Sequence, residues 1–337
     1  MGNAVSRLRP AWALWSFLVL TVVPVSGFAV GAALPQAYPD RPVKVIVPTP
    51  PGGPVDVVAR IAANYLQTAL GQGFVIENRP GAGNTIGSRD AAEAVPDGYT
   101  LLYSAASGLV IAPLLHPDAG YDPLTSYDPI ALFAATSNIL VVNPTVPAKT
   151  VSELVTYAKA NPGKVNFSSG GIGVLPHLIG EMFKARAGID IVHVPYKGGG
   201  PSITDLVAGN VQMTFEATSV LLPLIKAGRL RALAVTAAKR IPELPEVPTM
   251  TESGFANFVT TAWTGLLAPA HTPVPIIAKL GAAINDGLKK PELQVALTRL
   301  SYEPIGGAPA DFTATMQADL ARWSPIIKTL GLDHLAQ

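Results

Sequence analysis

Val43-Lys-Val-Ile-Val-Pro-Thr-Pro-Pro-Gly-Gly-Pro-Val-Asp56 reads, in order, as a buried strand, a proline–glycine turn and the start of a helix. Every residue of 43–47 except Lys44 is β-branched, which suits a strand covered on both faces. Gly52 and Gly53 permit φ > 0 and close approach of the backbone to a ligand. Pro54 fits the first helical position, and Asp56 is placed to cap free N–H groups. Val58, Ile61, Ala62, Tyr65, Leu66 and Ala69 follow at helical spacing and make one buried stripe. A glycine turn between strand and helix points unpaired N–H groups and the positive end of the helix dipole at one spot, which suits an anion.

Strand and helix alternate outward from this unit. Strands are predicted over 74–77, 100–104 and 130–133, with a turn cluster at 78–84 and a helix over 86–95. Such alternation argues for βαβ units on a parallel sheet. Asn138-Ile-Leu-Val-Val-Asn-Pro144 is predicted as a strand that ends at proline and enters a second α/β series. In that series, helices over 150–160, 174–187, 201–208 and 219–227 alternate with strands over 165–167, 191–194, 211–215 and 232–236. A long apolar strand over 258–268 follows, then helices over 273–289, 291–299 and 309–329 that should cover the first sheet. The expected organisation is α/β with two lobes, 38–138 plus 263–337 and 139–262. Two crossings near 138–143 and 258–267 would form a hinge, and a ligand would bind in the cleft between the lobes.

Composition limits the class. Hydrophobic residues make up 49% of 337, enough for a full core, whereas charged residues make up 14% with net charge +1, which gives no basic footprint for nucleic acid. Residues 1–33 follow the pattern of an export signal, with Arg7 and Arg9, an apolar run over 11–25, and small residues at Ala29 and Gly31 to Ala33. The cut could fall as late as 37. Loss of 1–33 removes two arginines and no acid, so 22 basic residues face 23 acidic ones. The apolar run is short for a membrane span, so the mature chain is expected in the periplasm without membrane insertion. There is no cysteine, hence no disulfide and no thiolate chemistry.

Ser168-Ser-Gly-Gly-Ile-Gly173 and Pro195-Tyr-Lys-Gly-Gly-Gly-Pro-Ser202 repeat the glycine turn before a helix in the second lobe. Turns of this kind gather at the carboxyl ends of parallel strands, so several helix starts facing one cleft could hold a carboxylate without an arginine. Enzymatic motifs are lacking: there is no Gly-x-x-x-x-Gly-Lys-[Ser/Thr], no Gly-x-Ser-x-Gly and no His-x-x-x-His. Gly81-Ala-Gly83 lacks the third glycine and the acid of a dinucleotide fingerprint. Neither cofactor nor metal is therefore expected. His177 on a helix and His193 in a strand fit core or capping roles better than ligation, and Asp56 fits capping better than general-base work. The competing reading is an exported α/β hydrolase that uses Ser104 or Ser169. A partner-binding module would need a large exposed apolar patch.

The stretches 38–48, Pro50-Pro-Gly-Gly53, Val57-Val-Ala-Arg60, Glu77-Asn-Arg-Pro-Gly-Ala-Gly83 and Pro96-Asp-Gly-Tyr-Thr-Leu-Leu102 are similar to the Bug family. These are the periplasmic solute receptors of tripartite tricarboxylate transporters. Val141-Val-Asn-Pro144, His193-Val-Pro-Tyr-Lys-Gly198, Leu230-Arg-Ala-Leu-Ala-Val-Thr236 and Pro245-Glu-Val-Pro-Thr249 extend the match over the mature chain in order. The resemblance implies a two-lobe periplasmic-binding-protein fold, a type II-like Venus flytrap with a two-strand hinge. It implies no catalysis, and capture of a small carboxylate largely by backbone N–H groups and bridging waters. The partners it implies are permease subunits in the membrane, or a sensor that reads the closed form. Carried onto this chain, the ligand-binding positions are Thr49, Gly52, Gly53, Asp56, Ser104 and Ser107 in one lobe, and Ser168, Ser169, Gly170, Tyr196 and Glu216 in the other.

The chain departs from the family pattern at three places. Pro54-Val55 replace a small residue and a threonine, Pro176 stands where a small polar residue is common, and Glu216-Ala217 replace Asp-Asn. One N–H, one hydroxyl and one amide are thereby lost. The expected ligand is a mono- or dicarboxylate with an apolar or aromatic body, rather than citrate or an amino acid.

Overall fold

The computed structural model describes Gly2 and residues 38–333; the expected export signal lies outside the described residues. The first lobe starts β1 (Val43–Val47), α1 (Pro54–Leu70), β2 (Phe74–Asn78), α2 (Thr85–Ala92), β3 (Thr100–Ala105) and α3 (Ala112–Leu115). β4 (Tyr127–Val142) then leads to the second lobe, α4 (Val151–Ala160), β5 (Val165–Ser169), α5 (Leu175–Ala187), β6 (Ile191–Pro195), α6 (Gly199–Ala208), β7 (Met213–Ala217), α7 (Thr218–Lys226) and β8 (Arg231–Val235). The chain returns through β9 (Thr261–Pro269), α8 (Val274–Leu288), α9 (Pro291–Thr298), β10 (Glu303–Gly306) and α10 (Pro309–Thr329).

Strand order along the sheet is β2-β1-β3-β9-β4-β7-β5-β6, with β8 and β10 also paired to β4. β1 lies parallel to β2 and β3, and β5 parallel to β6 and β7, as βαβ units require. β4 is the exception in length and direction. It runs antiparallel to β9 as far as Ser137↔Thr261, and antiparallel to β7 from Asn138↔Ala217 onward. One strand therefore serves both lobes and changes sheet between Ser137 and Asn138. The two strands expected over 130–133 and 138–144 are thus a single element. No glycine or proline interrupts 130–142, and the run is buried on both faces, so nothing stops the strand. Shifts of register at Pro129/Ala131 and Leu132/Ala134 take up its twist.

At the crossing, Thr236 ties three segments together. Its N–H donates to the Asn138 carbonyl at 2.8 Å, its hydroxyl to the Thr260 carbonyl at 2.6 Å, and its carbonyl accepts the Thr260 N–H at 3.0 Å. These bonds join β4, the end of β8 and the segment before β9.

Three apolar clusters hold the layers. One packs α1, α8 and α9 on the outer face of the first sheet, through Val58, Leu66, Leu280, Ile284 and Leu297. Each fully buried side chain of this size contributes roughly 1.5–3 kcal/mol. α1 stops at Gly71, whose left-handed φ of 73° lets its N–H reach the Gln67 carbonyl. A second cluster lies under α6 and α7. The third is continuous across both lobes, from Leu102, Trp263 and Phe312 to Phe167, Phe183 and Phe215. α10 belongs to this last cluster and packs on α5 as well as on β4, so it does not cover the first sheet alone as expected.

Candidate functional site

In the first lobe the turn after β1 delivers Gly52 with φ 79°, a conformation that only glycine adopts without strain, so the backbone N–H swings toward the helix start. That N–H does not point at open space. It donates to Asp56 Oδ2 at 2.8 Å. The same carboxylate accepts Arg60 Nε–H at 3.0 Å and Asn78 Nδ2–H at 2.8 Å, and Asn78 also donates to the Thr49 carbonyl at 3.0 Å. Burial alone would raise the Asp56 pKa, but the bonds from Arg60, Gly52 and Asn78 outweigh it and hold the carboxyl below its usual range. Asp56 is 1% exposed, and of the free N–H groups before α1 its carboxylate takes that of Gly52, while the N-cap residue Gly53 makes no side-chain cap. The arrangement fixes the turn and leaves its neighbours with unmet polar groups.

Those neighbours are two hydroxyls. Thr49 Oγ1 and Ser104 Oγ are buried with no hydrogen-bond partner among the described residues. They stand just beyond β1 and at the end of β3, which pair in parallel. Ser107 is half-buried and opens the wide turn Ser107–Ile111. Gly108 fits closely here, because a Cβ on it would come within 2.9 Å of Ser104 Oγ and 3.3 Å of the Asn84 side chain. Unpaired buried hydroxyls cost free energy, and a polar ligand or a water bridge would offset that cost.

In the second lobe the expected residues divide. Ser168 is fully buried and accepts the Ser202 hydroxyl at 2.8 Å, so its side chain faces α6. Ser169 donates to the Gly171 carbonyl at 2.7 Å and lies 2.7 Å from His193 Nε2. Since a serine has one proton, His193 is the donor in that pair. The His193 ring stacks on His177 with centroids 3.8 Å apart, and His177 Nδ1 accepts the Gly173 N–H at 3.0 Å. Burial pushes both imidazoles down to about 4, with His177 adding to the effect on His193. The pair is neutral at neutral pH and braces the 169–173 turn. Tyr196 gives its hydroxyl to Asp205 at 2.6 Å. Three of the five expected residues thus have their side chains engaged within the lobe.

Gly170 and Glu216 meet at a cavity of about 510 Å³. Val174, Pro176, Ile203 and Val220 make it apolar, and the backbone of Gly170 and Gly198 to Gly200 forms one wall. Glu216 is its single ionisable side chain. Burial raises the Glu216 pKa, while its one recorded hydrogen bond, 2.8 Å from the Ala217 N–H to Oε1, acts the other way. Oε2 lies beside Gly199, 3.6 Å from where a Cβ would stand.

The arrangement binds rather than reacts. Ser169 is buried and its proton is committed to Gly171, and Ser104 has no base bonded to it. Among the described residues, no group of His, Cys, Asp and Glu gathers as a metal site, and no helix is long and apolar enough to cross a membrane. Asn78, Arg60 and His177 were not singled out as site residues by sequence reasoning. Asn78 lies 22 positions from Asp56, beyond any local pattern.

Residues 58–332 match the family described as tripartite tricarboxylate transporter family receptor. Protein BugT of Bordetella pertussis is 36% identical over 317 residues, covering 93% of this chain and 97% of BugT. Among solved structures, an R. palustris protein with adipate superposes with a TM-score of 0.75 at 35% identity, covering 87% of this chain and 98% of that one. MatC from Rhodopseudomonas palustris with bound malate gives 0.71 at 32%, covering 86% and 100%. The chain belongs to the tripartite tricarboxylate transporter receptor family, a family of solute receptors and not of enzymes.

Proposed function

We propose that this chain is exported, loses residues 1–33, and captures a small carboxylate between its lobes for uptake or sensing. The observation that carries the reading is the pair of buried, unpartnered hydroxyls, Thr49 and Ser104, at paired strand ends of the first lobe. The bound adipate and malate of the two relatives support a carboxylate as the class. The Asp56 network holds the turn so that Gly53 and its neighbours present backbone to the ligand. Gly170, Glu216 and the apolar cavity form the opposing jaw, which favours an apolar or aromatic body.

The lobes in this reading are 38–138 with 263–337, and 139–262. They would close about the crossings near 138–143 and 258–267, which the Thr236 bonds keep in register. Ligand must touch both lobes, because only contacts that differ between open and closed states shift that equilibrium. Membrane permease subunits, or a sensor protein, would then read the closed form. Calorimetry of the mature chain against aliphatic and aromatic mono- and dicarboxylates, with citrate and neutral sugars as controls, tests this. Stoichiometric binding of an apolar carboxylate is expected, and a response confined to citrate or to uncharged sugars overturns it.

A further inference from the structure

The second-lobe cavity is lined by one carboxyl group and by no basic side chain. Among the described residues no lysine, arginine or histidine forms an ion pair with Glu216, although eight such pairs occur elsewhere. Its carboxylate keeps one backbone N–H, and Oε2 faces the start of α6 at Gly199. The ten-residue helix α6 places the positive end of its dipole beside that oxygen, which favours the ionised form. The remaining wall is Val174, Pro176, Ile203 and Val220, none of which can donate a hydrogen bond from its side chain.

Closure over this cavity would strip water from a carboxylate that has no cationic partner among the described residues, which is unfavourable. A ligand carboxylate placed against it would add like-charge repulsion. An ammonium would remove both penalties.

Resting on the carboxylate-receptor reading above, we infer that Glu216 selects ligands bearing an ammonium group at the end remote from the carboxylate, on an apolar or aromatic body. The first lobe takes the carboxylate, the apolar walls take the body, and Glu216 takes the cation. Specificity then comes as much from rejecting a second carboxylate as from attracting the amine.

Calorimetry on the mature protein with two matched series tests this: hexanoate, 6-aminohexanoate and adipate; and 4-methylbenzoate, 4-(aminomethyl)benzoate and terephthalate. In at least one series the amino compound is expected to bind roughly ten-fold tighter than the monocarboxylate, the equivalent of about 1.4 kcal/mol, and tighter still than the dicarboxylate. Glu216→Gln should abolish the amine preference, read as the ratio of amino-compound to monocarboxylate affinity within the same variant. Glu216→Asp should retain part of it, and thermal melts of both variants report whether the fold persists. A dicarboxylate that binds best, or an amine preference that survives Glu216→Gln, overturns the inference and leaves the carboxylate reading standing. Binding of hexylamine or benzylamine as tightly as the amino carboxylates overturns the carboxylate reading instead. Failure of all six acids to bind counts against both.

Discussion

Asp56 and Glu216 each stand beside a helix that opens after a glycine turn, Asp56 at Gly52–Gly53 before α1 and Glu216 at Gly198–Gly200 before α6. Asp56 is buried and receives bonds from Gly52, Arg60 and Asn78, so its charge is balanced within the lobe. Glu216 is half-buried, receives one bond from the next residue, and forms no ion pair among the described residues. The same local device is closed in one lobe and open in the other. A helix start that already holds a satisfied carboxylate is part of the scaffold. A helix start beside an unsatisfied one has capacity left for a ligand.

Removal of each carboxylate tests that distinction, and the largest effect is expected at Asp56. Asp56→Ala strands the Gly52 N–H, leaves the Asn78 amide only the Thr49 carbonyl, and leaves Arg60 only Asn78 Oδ1 at 3.2 Å. A loss of about 2–4 kcal/mol is expected in chemical denaturation, with weaker ligand binding as the turn loosens. Asp56→Asn should fall between this and the wild type, because an amide cannot accept all three donors. Were Asp56→Ala as stable as the parent and equally avid, the first turn would not be the anchor.

A smaller effect is expected where the two turns of the second lobe touch. A Cβ on Gly170 would stand 3.0 Å from the Gly199 nitrogen and 3.1 Å from the Gly198 carbonyl carbon, and both obstacles are backbone. Gly170→Ala should cost about 1–2 kcal/mol and widen the cavity. On Gly53 a Cβ would meet only the Pro50 oxygen at 3.5 Å, so Gly53→Ala should be nearly neutral for stability. Paired melting curves check both. Equal costs would mean that the two turns are packed alike.

The opening strand, glycine turn and helix are legible because each is a local signal: β-branched residues, φ > 0, and a stripe at helical spacing. Side-chain direction is less so. Ser168 and Ser169 are adjacent, yet alternation along β5 sends the first to Ser202 and the second to His193. Tyr196 looks available in Pro195-Tyr-Lys197, and only the fold brings Asp205 within 2.6 Å of its hydroxyl. The union of the 130–133 and 138–144 segments in one strand depends on β9, which lies more than a hundred residues away. What distinguishes Asp56 from Glu216 is likewise tertiary, because it is set by Asn78 in one case and by the lack of a cation in the other.

Acid should separate the turns next. His177 and His193 are pushed down to about 4 from the ordinary 6.5, so the fold resists protonation that the unfolded chain accepts. For such groups stability is full above 6.5 and is lost as the pH falls toward 4. Asp56, whose pKa is lowered, keeps its contribution down to the ordinary carboxylate range. Between pH 7 and 5 the second-lobe turn should therefore weaken first, with Tm falling by a few degrees and amide exchange rising at 170–174 before 49–53. His177→Gln should flatten that dependence. An unchanged Tm from pH 7 to 5 would show that the imidazoles do not gain their neutrality from the fold.

The smallest expected change in stability is at Glu216, and it bears most directly on the comparison. Glu216→Gln keeps an oxygen for the Ala217 N–H and removes a charge that nothing within the lobe balances. Its effect on unfolding should lie within about 0.5 kcal/mol of zero, or be slightly stabilising, since no partner is left stranded. A drop comparable to that of Asp56→Ala would place Glu216 in the scaffold, through bonds absent from this conformation, and would take ligand selection away from it. A stable variant with altered selectivity would show the reverse: the lobe holds this carboxylate at some cost to itself, and that cost is offset only when the cleft closes on a cation.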